Sequence, residues 1–237
     1  MSHYCVAVFS NDRNFDRLLE PYDENDERYF EQCQMTTESK NYYKKNYNEA
    51  VNNGSFVGTF QEYMEDRGYT VVDDQILYRE NPNALYDYYS LDGRDFEFYD
   101  LLRDKRIQRP RLHDYKFMKE PTKRELKNHK ANWAEICKFA DMSDEEYQKH
   151  KNEYKHFFSP KYLKERYVNE EQYIKEMSGN YPYCYITPDG VLHAPGKVGW
   201  FATDDATAES FNKYYDEWIA FINSDANPYV SFVDCHI

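Results

Sequence analysis

The chain has 237 residues, with 43 Asp or Glu against 30 Lys or Arg, a formal charge of −13. Hydrophobic residues make up 41%, but 25 of these are Tyr, whose hydroxyls need water or a partner, so the expected core is tyrosine-rich and the surface polar. No apolar run approaches the roughly 18 residues of a membrane span, and Met1-Ser-His-Tyr-Cys5 has no charged stretch followed by an apolar one; membrane partners are excluded and a cytoplasmic location is expected.

Five scattered cysteines, Cys5, Cys33, Cys137, Cys184 and Cys235, form no C-x-x-C pair and read as free thiols in a reducing compartment. Charge is unevenly spread. Residues 103–166 hold 18 Lys/Arg against 11 Asp/Glu, and the remainder 12 against 32. The acidic part disfavours long nucleic acids as partners. The basic stretch either meets phosphates or docks on its own acidic domain.

In chain order, His3-Tyr-Cys-Val-Ala-Val-Phe-Ser10 is β-branched and aromatic and reads as a buried strand ending at Asn11-Asp12. Leu18-Leu19 opens a helical turn that Pro21-Tyr-Asp-Glu-Asn25 breaks. Residues 36–53, rich in Tyr, Lys and Asn, fit a polar helix or an irregular excursion. Thr59-x-x-Glu62 is a capping box that starts a short helix stopped at Gly68, and Tyr69-Thr-Val-Val72 follows as a strand. Asn81-Pro-Asn83 and Leu91-Asp-Gly-Arg94 are turns.

From about 109 to 177 the pattern predicts a basic helical insertion. Thr122-x-x-Glu125 and Ser143-x-x-Glu146 are capping boxes, Ser159-Pro160 sets Pro at a first helical position, and a last helix ends at Gly179. Tyr183-Cys-Tyr-Ile-Thr187, the turn Pro188-Asp-Gly190 and Val191-Leu-His193 form a hairpin. Phe211, Tyr214, Tyr215, Trp218 and Ile222 keep helical spacing within 206–223. Tyr229-Val-Ser-Phe-Val-Asp-Cys-His-Ile237 is a closing strand. The predicted fold is α+β: a small mixed or antiparallel sheet, ferredoxin-like or split β-α-β, with the first and last strands paired near its centre. Its domain comprises 1–108 and 178–237, with 109–177 inserted.

Pro21-Tyr-Asp-Glu-Asn25, Asn81-Pro-Asn-Ala-Leu-Tyr-Asp-Tyr-Tyr-Ser-Leu-Asp-Gly-Arg94, Pro188-Asp-Gly190, Gly196-Lys-Val-Gly-Trp-Phe201 and Val233-Asp-Cys-His-Ile237 resemble a set of uncharacterised proteins encoded by bacteriophages and prophages. That set tends to carry a tryptophan-rich second block and a second Gly before its Arg, where Tyr86, Tyr88 and Asp92 stand here. The resemblance covers both ends and skips the insertion. It implies a phage protein in the host cytosol, and by analogy of context one that disables host defence.

Candidate chemistry collects at the sheet. Asp234 and His236, two apart on a strand, leave one face about 7 Å apart, and His3 and Cys5 do the same on the first strand. With His193 beside the hairpin they make a His/Asp cluster for acid/base work on a phosphate, with or without a divalent metal; no metal-ligand set is assigned. Tyr88 and Tyr89 with Arg94 have the chemistry of a nucleotide pocket, and Lys197, Trp200, Arg109 and Arg111 are further ligand-binding candidates. Gly196 and Gly199 permit close backbone approach around Lys197 without forming a Walker loop. Cys235 and His236 point to opposite faces and do not pair for catalysis. The expected function is capture, or hydrolysis, of a nucleotide-type signal of host immunity. The alternative is a non-enzymatic, anti-CRISPR-like inhibitor that covers a host defence protein with an acidic, tyrosine-rich surface. Nothing in the sequence sets a cofactor or an oligomeric state.

Overall fold

A computed structural model describes residues 3–91, 99–101, 110–117, 121–179, 181–197 and 204–236. In chain order the elements are β1 (His3–Ser10), α1 (Asp16–Leu19), β2 (Glu31–Gln34), α2 (Thr37–Asn52), α3 (Phe60–Glu65), β3 (Thr70–Val72), β4 (Gln75–Glu80), β5 (Tyr88–Leu91), β6 (Tyr99–Leu101), β7 (Tyr115–Phe117), α4 (Lys123–Ala140), α5 (Asp144–His150), α6 (Pro160–Arg166), α7 (Glu170–Met177), β8 (Cys184–Ile186), β9 (Leu192–His193), α8 (Ala208–Ile222) and β10 (Tyr229–His236). Backbone packing divides the chain into two compact units, 1–18 with 88–237, and 19–87.

In the first unit a five-stranded mixed sheet has the order β5-β10-β1-β8-β9. β1 and β10 pair antiparallel from His3↔His236 to Ser10↔Tyr229, so the first and last strands lie side by side within it. β1 is also parallel to β8, and β9 lies outside β8; within the expected α+β class, the hairpin therefore flanks the parallel pair instead of splitting it. The reason is visible in β1: Val6, Ala7, Val8 and Phe9 are wholly buried, and a strand apolar on both faces is stable only with neighbours on both sides.

Alternation along the ladder sorts the two faces. Cys5, Ala7 and Phe9 join Val230, Phe232 and Tyr185 in a core closed by Tyr214 and Trp218 of α8. Full burial of a side chain such as Phe9 is worth about 1.5–3 kcal/mol. The Tyr214 hydroxyl keeps a partner by donating to the Pro182 carbonyl at 2.5 Å. Thr207 caps α8 by accepting from the Ser210 amide.

Residues 111–117 depart from the expectation of an almost wholly helical 109–177. They form a bridge to Tyr229, a 3-10 turn over Leu112–Asp114 and β7, which pairs with β6. Leu112 is buried with Phe232, and Tyr115 and Phe117 pack on the same core, so this stretch completes the sheet's hydrophobic layer. The helices begin at Lys123, and Thr122, Ser143 and Ser159 cap α4, α5 and α6. Ile136, Leu163, Tyr167 and Tyr173 form their core.

Beside that core lies a buried ion network. Arg166 reaches Glu176 at 3.0 Å and Asp204 at 3.3 Å, and Gln172 donates to Glu176 at 2.6 Å. Burial pushes the Glu176 carboxyl above its ordinary value, with Gln172 and Arg166 offsetting part of the shift.

The 19–87 unit is built on a second sheet, β2-β4-β3, over a core of Met35, Tyr63, Met64 and Ile76. β3 and β4 form a hairpin through Asp73 and Asp74, both at positive φ, 47° and 63°. A two-residue turn needs that conformation, and Asp tolerates it better than most residues. Asn81 joins two of the sequence blocks: its side-chain amide donates to the carbonyls of Pro21 and Asp23 at 2.9 and 3.0 Å, while the Leu85 amide donates to Tyr22. Among the described residues, no helix is long and apolar enough to cross a membrane.

Candidate functional site

The β1–β10 register brings His3 opposite His236 and Cys5 opposite Asp234, and β5 sets Tyr88 opposite His236. Directly opposed residues share a face, so His3, Asp234, His236 and Tyr88 meet at one end of the ladder. The Asp234 carboxylate lies 3.3 Å from His3 Nδ1. The His3 and His236 rings are 5.0 Å apart, edge to face, and Tyr88 stacks on His236 at 4.4 Å and 18°. Asp234 and His236 are buried, whereas Tyr88 is 50% exposed, so the cluster reaches solvent at its Tyr88 rim.

Two imidazoles beside one carboxylate suit proton transfer. The contact lacks hydrogen-bond geometry, His3 Nδ1 being buried without a hydrogen-bond partner among the described residues, so it is an approach of carboxylate and imidazole that does not set the ring's tautomer. The strand period places Asp234 on the face of His236, and the carboxylate makes its ion-pair contact with His3 across the ladder. His236 itself is buried and stacked. The neighbouring thiols are unsuited to nucleophilic work: burial pushes Cys5 well above its ordinary value and Cys235 up to about 12, with Asp234 adding to both.

The other expected site residues disperse. His193 is opposite Tyr185 on β9, with β1 and β8 between it and β10, a separation of roughly 14 Å at the usual strand spacing. It stacks on Tyr185 at 4.5 Å and meets Glu217 at 3.2 Å, on the wall of a cavity of about 560 Å³ that also includes Asp189 and Phe221. Tyr89 faces away from Tyr88, packing on Phe15 and donating to Asp16 at 2.7 Å. Arg111 stacks over Tyr229 at 4.3 Å and donates to its hydroxyl and to Asn227. The Lys197 amide donates to Asp205. A Cβ at Gly196 would stand 2.5 Å from the Ala206 nitrogen, so that glycine admits the chain's own backbone. Arg94, Trp200 and Arg109 lie outside the described residues.

Glu217 and the Arg166 network escape sequence reasoning because their partners come together only through tertiary packing; the sole signal for Glu217 is its place on the flank of α8, one residue before Trp218. Several cations of the basic segment are engaged near home, Lys161 with Asp144, Lys164 with Asp141 and Lys130 with Glu170. Among the described residues, no three His, Cys, Asp or Glu side chains converge at metal-binding geometry. No protein-family model matches the chain, and neither does any curated protein or solved structure.

Proposed function

We propose that the His3–Asp234–His236 end of the sheet binds a small phosphorylated ligand of nucleotide type and transfers protons on it, in the service of a phage protein that counters host defence. The observation that carries the reading is the Asp234–His3 contact at 3.3 Å with the His236 ring 5.0 Å away. In a hydrolysis, His3 takes a proton from water as its oxygen bonds to phosphorus, and His236 protonates the leaving oxygen as its P–O bond breaks. Incubation with a panel of cyclic and linear nucleotides, with and without divalent metal, followed by chromatography of products, tests this directly. Product formation that disappears in His236→Ala supports it; unchanged turnover in His3→Ala, Asp234→Asn and His236→Ala sinks it.

A second reading, a non-enzymatic inhibitor of a host defence protein, draws support from the internal engagement of Arg111 and Tyr89 and from the acidic excess outside 103–166. Its contacts are electrostatic, so neutralising surface carboxylates and raising salt should weaken its activity.

A further inference from the structure

In the 19–87 unit β3 stops pairing with β4 at Thr70↔Leu77, while β4 continues on its other side through Tyr78↔Cys33 and Arg79↔Gln32. Gly68, at φ +83°, turns the chain out of α3, and the departing segment leaves a cavity of about 630 Å³ beside the unpaired flank of β4. That is the size of a small-molecule site. Arg67, Tyr69, Tyr78, Arg79 and Gln32 line it.

The unit holds 15 Asp/Glu against 6 Lys/Arg, so a cation in it has carboxylates to choose from. Arg28 takes two, Asp26 and Glu20. Arg67 and Arg79, by contrast, form no ion pair with any described residue. Arg67 is held in place, its guanidinium 3.5 Å over the Tyr63 ring and one nitrogen donating to the Tyr63 carbonyl at 2.9 Å. Its remaining donors and those of Arg79 are uncommitted to any carboxylate, and a planar fork of this kind matches phosphate oxygens.

The tyrosines are committed at their tips. The Tyr69 hydroxyl bonds Tyr43 at 2.8 Å and Tyr78 donates to Glu80 at 3.2 Å, so what they offer the cavity is ring surface. Gln32 and Thr70 form no side-chain hydrogen bond with any described residue and supply polar edges. Two unpaired guanidiniums, two anchored aromatic rings and two free polar side chains suit a flat ring carrying a single phosphate. The acidic surroundings oppose a longer polyanion.

We infer that this cavity binds a small phosphorylated aromatic ligand of the nucleoside monophosphate class, a site apart from the histidine cluster. The test is calorimetric titration of the full chain with adenosine 5′-monophosphate, adenosine and inorganic phosphate. Saturable binding of the monophosphate is expected, at least tenfold tighter than either fragment. Measured in a His236→Ala background, which removes any share of the histidine cluster, Arg79→Ala and Arg67→Lys should each weaken it tenfold or more. Arg67 also caps its own helix, so the exposed Arg79 provides the variant least tied to folding. Absence of saturable binding overturns the inference, as does wild-type affinity in both arginine variants. Loss confined to His236→Ala, or phosphate binding as tightly as the monophosphate, overturns it equally.

Discussion

Two groups of buried charge lie in the unit formed by 1–18 and 88–237, and they are built differently. Arg166 is enclosed by Glu176 and Asp204, and Glu176 takes a further bond from Gln172. At the ladder end stand two imidazoles, one of them meeting Asp234 at 3.3 Å, and the group ends at a half-exposed tyrosine. Through these contacts Arg166 ties α6 and α7 to the segment before α8. The second group carries its donors and acceptors on two imidazoles and one carboxylate and meets solvent at Tyr88. The first group is enclosed by its own partners, and the second keeps an edge open to solvent.

Removing Arg166 should have the largest effect. Arg166→Ala leaves Glu176 and Asp204 facing each other without their cation, and chemical denaturation should show a loss of about 3–5 kcal/mol. A loss under about 1 kcal/mol would erase the proposed contrast. His236→Ala should do the reverse, lowering any nucleotide turnover by roughly 10²–10⁴ while the lost Tyr88 stack takes about 0.5–1.5 kcal/mol from stability. Asp234→Asn should act in the same assay with a smaller loss.

The pH dependence sharpens the comparison further. Because burial raises the folded Glu176 carboxyl above 4.5, the folded state holds that proton longer than the unfolded one. Its contribution to stability is complete below pH 4.5 and is lost as pH rises through the raised value. Glu176→Gln should flatten this part of a stability–pH curve. Smallest of all, Arg111→Ala removes an exposed stacking contact over Tyr229 and should cost about 0.5–1 kcal/mol, with no effect on turnover.

Much of the fold was legible because local signals and burial agree. β1 and β10 are apolar on both faces, and the capping boxes at Thr59, Thr122 and Ser143 all form. The i, i+3, i+7 spacing of Phe211, Tyr214 and Trp218 picks out the buried stripe of α8. Residues 36–53 resolve as the polar helix α2; none of its 16 residues is fully buried, and the stripe of Tyr43, Tyr47 and Ala50 that packs on the core is masked in the sequence by Tyr, Lys and Asn on its other faces. The β3–β4 hairpin went unread because Asp73-Asp74 supplies positive φ without glycine, and β2 because Glu31-Gln-Cys-Gln34 carries almost no apolar signal.

At the site, the strand period alone places Asp234 with His236 and His3 with Cys5. The neighbouring of these two pairs follows once the terminal strands are paired. His193 could not be placed by such means, since its position depends on whether β9 lies inside or outside β8. Arg111 and Tyr89 were read as ligand contacts because side-chain chemistry is visible in a sequence and prior engagement is not.

The pairing of β1 with β10 also has a kinetic side. His3 and His236 are register partners separated by nearly the whole chain, and closing so long a loop is entropically demanding. The β3–β4 hairpin and helices α4 to α7 depend on contacts close in sequence and can form early. The central sheet must wait for residues 229–236, so β1, with four wholly buried residues in the finished protein, spends the interval without its main partner. Until then it is an apolar strand with open hydrogen-bonding edges, the segment through which a partly folded chain would associate with another.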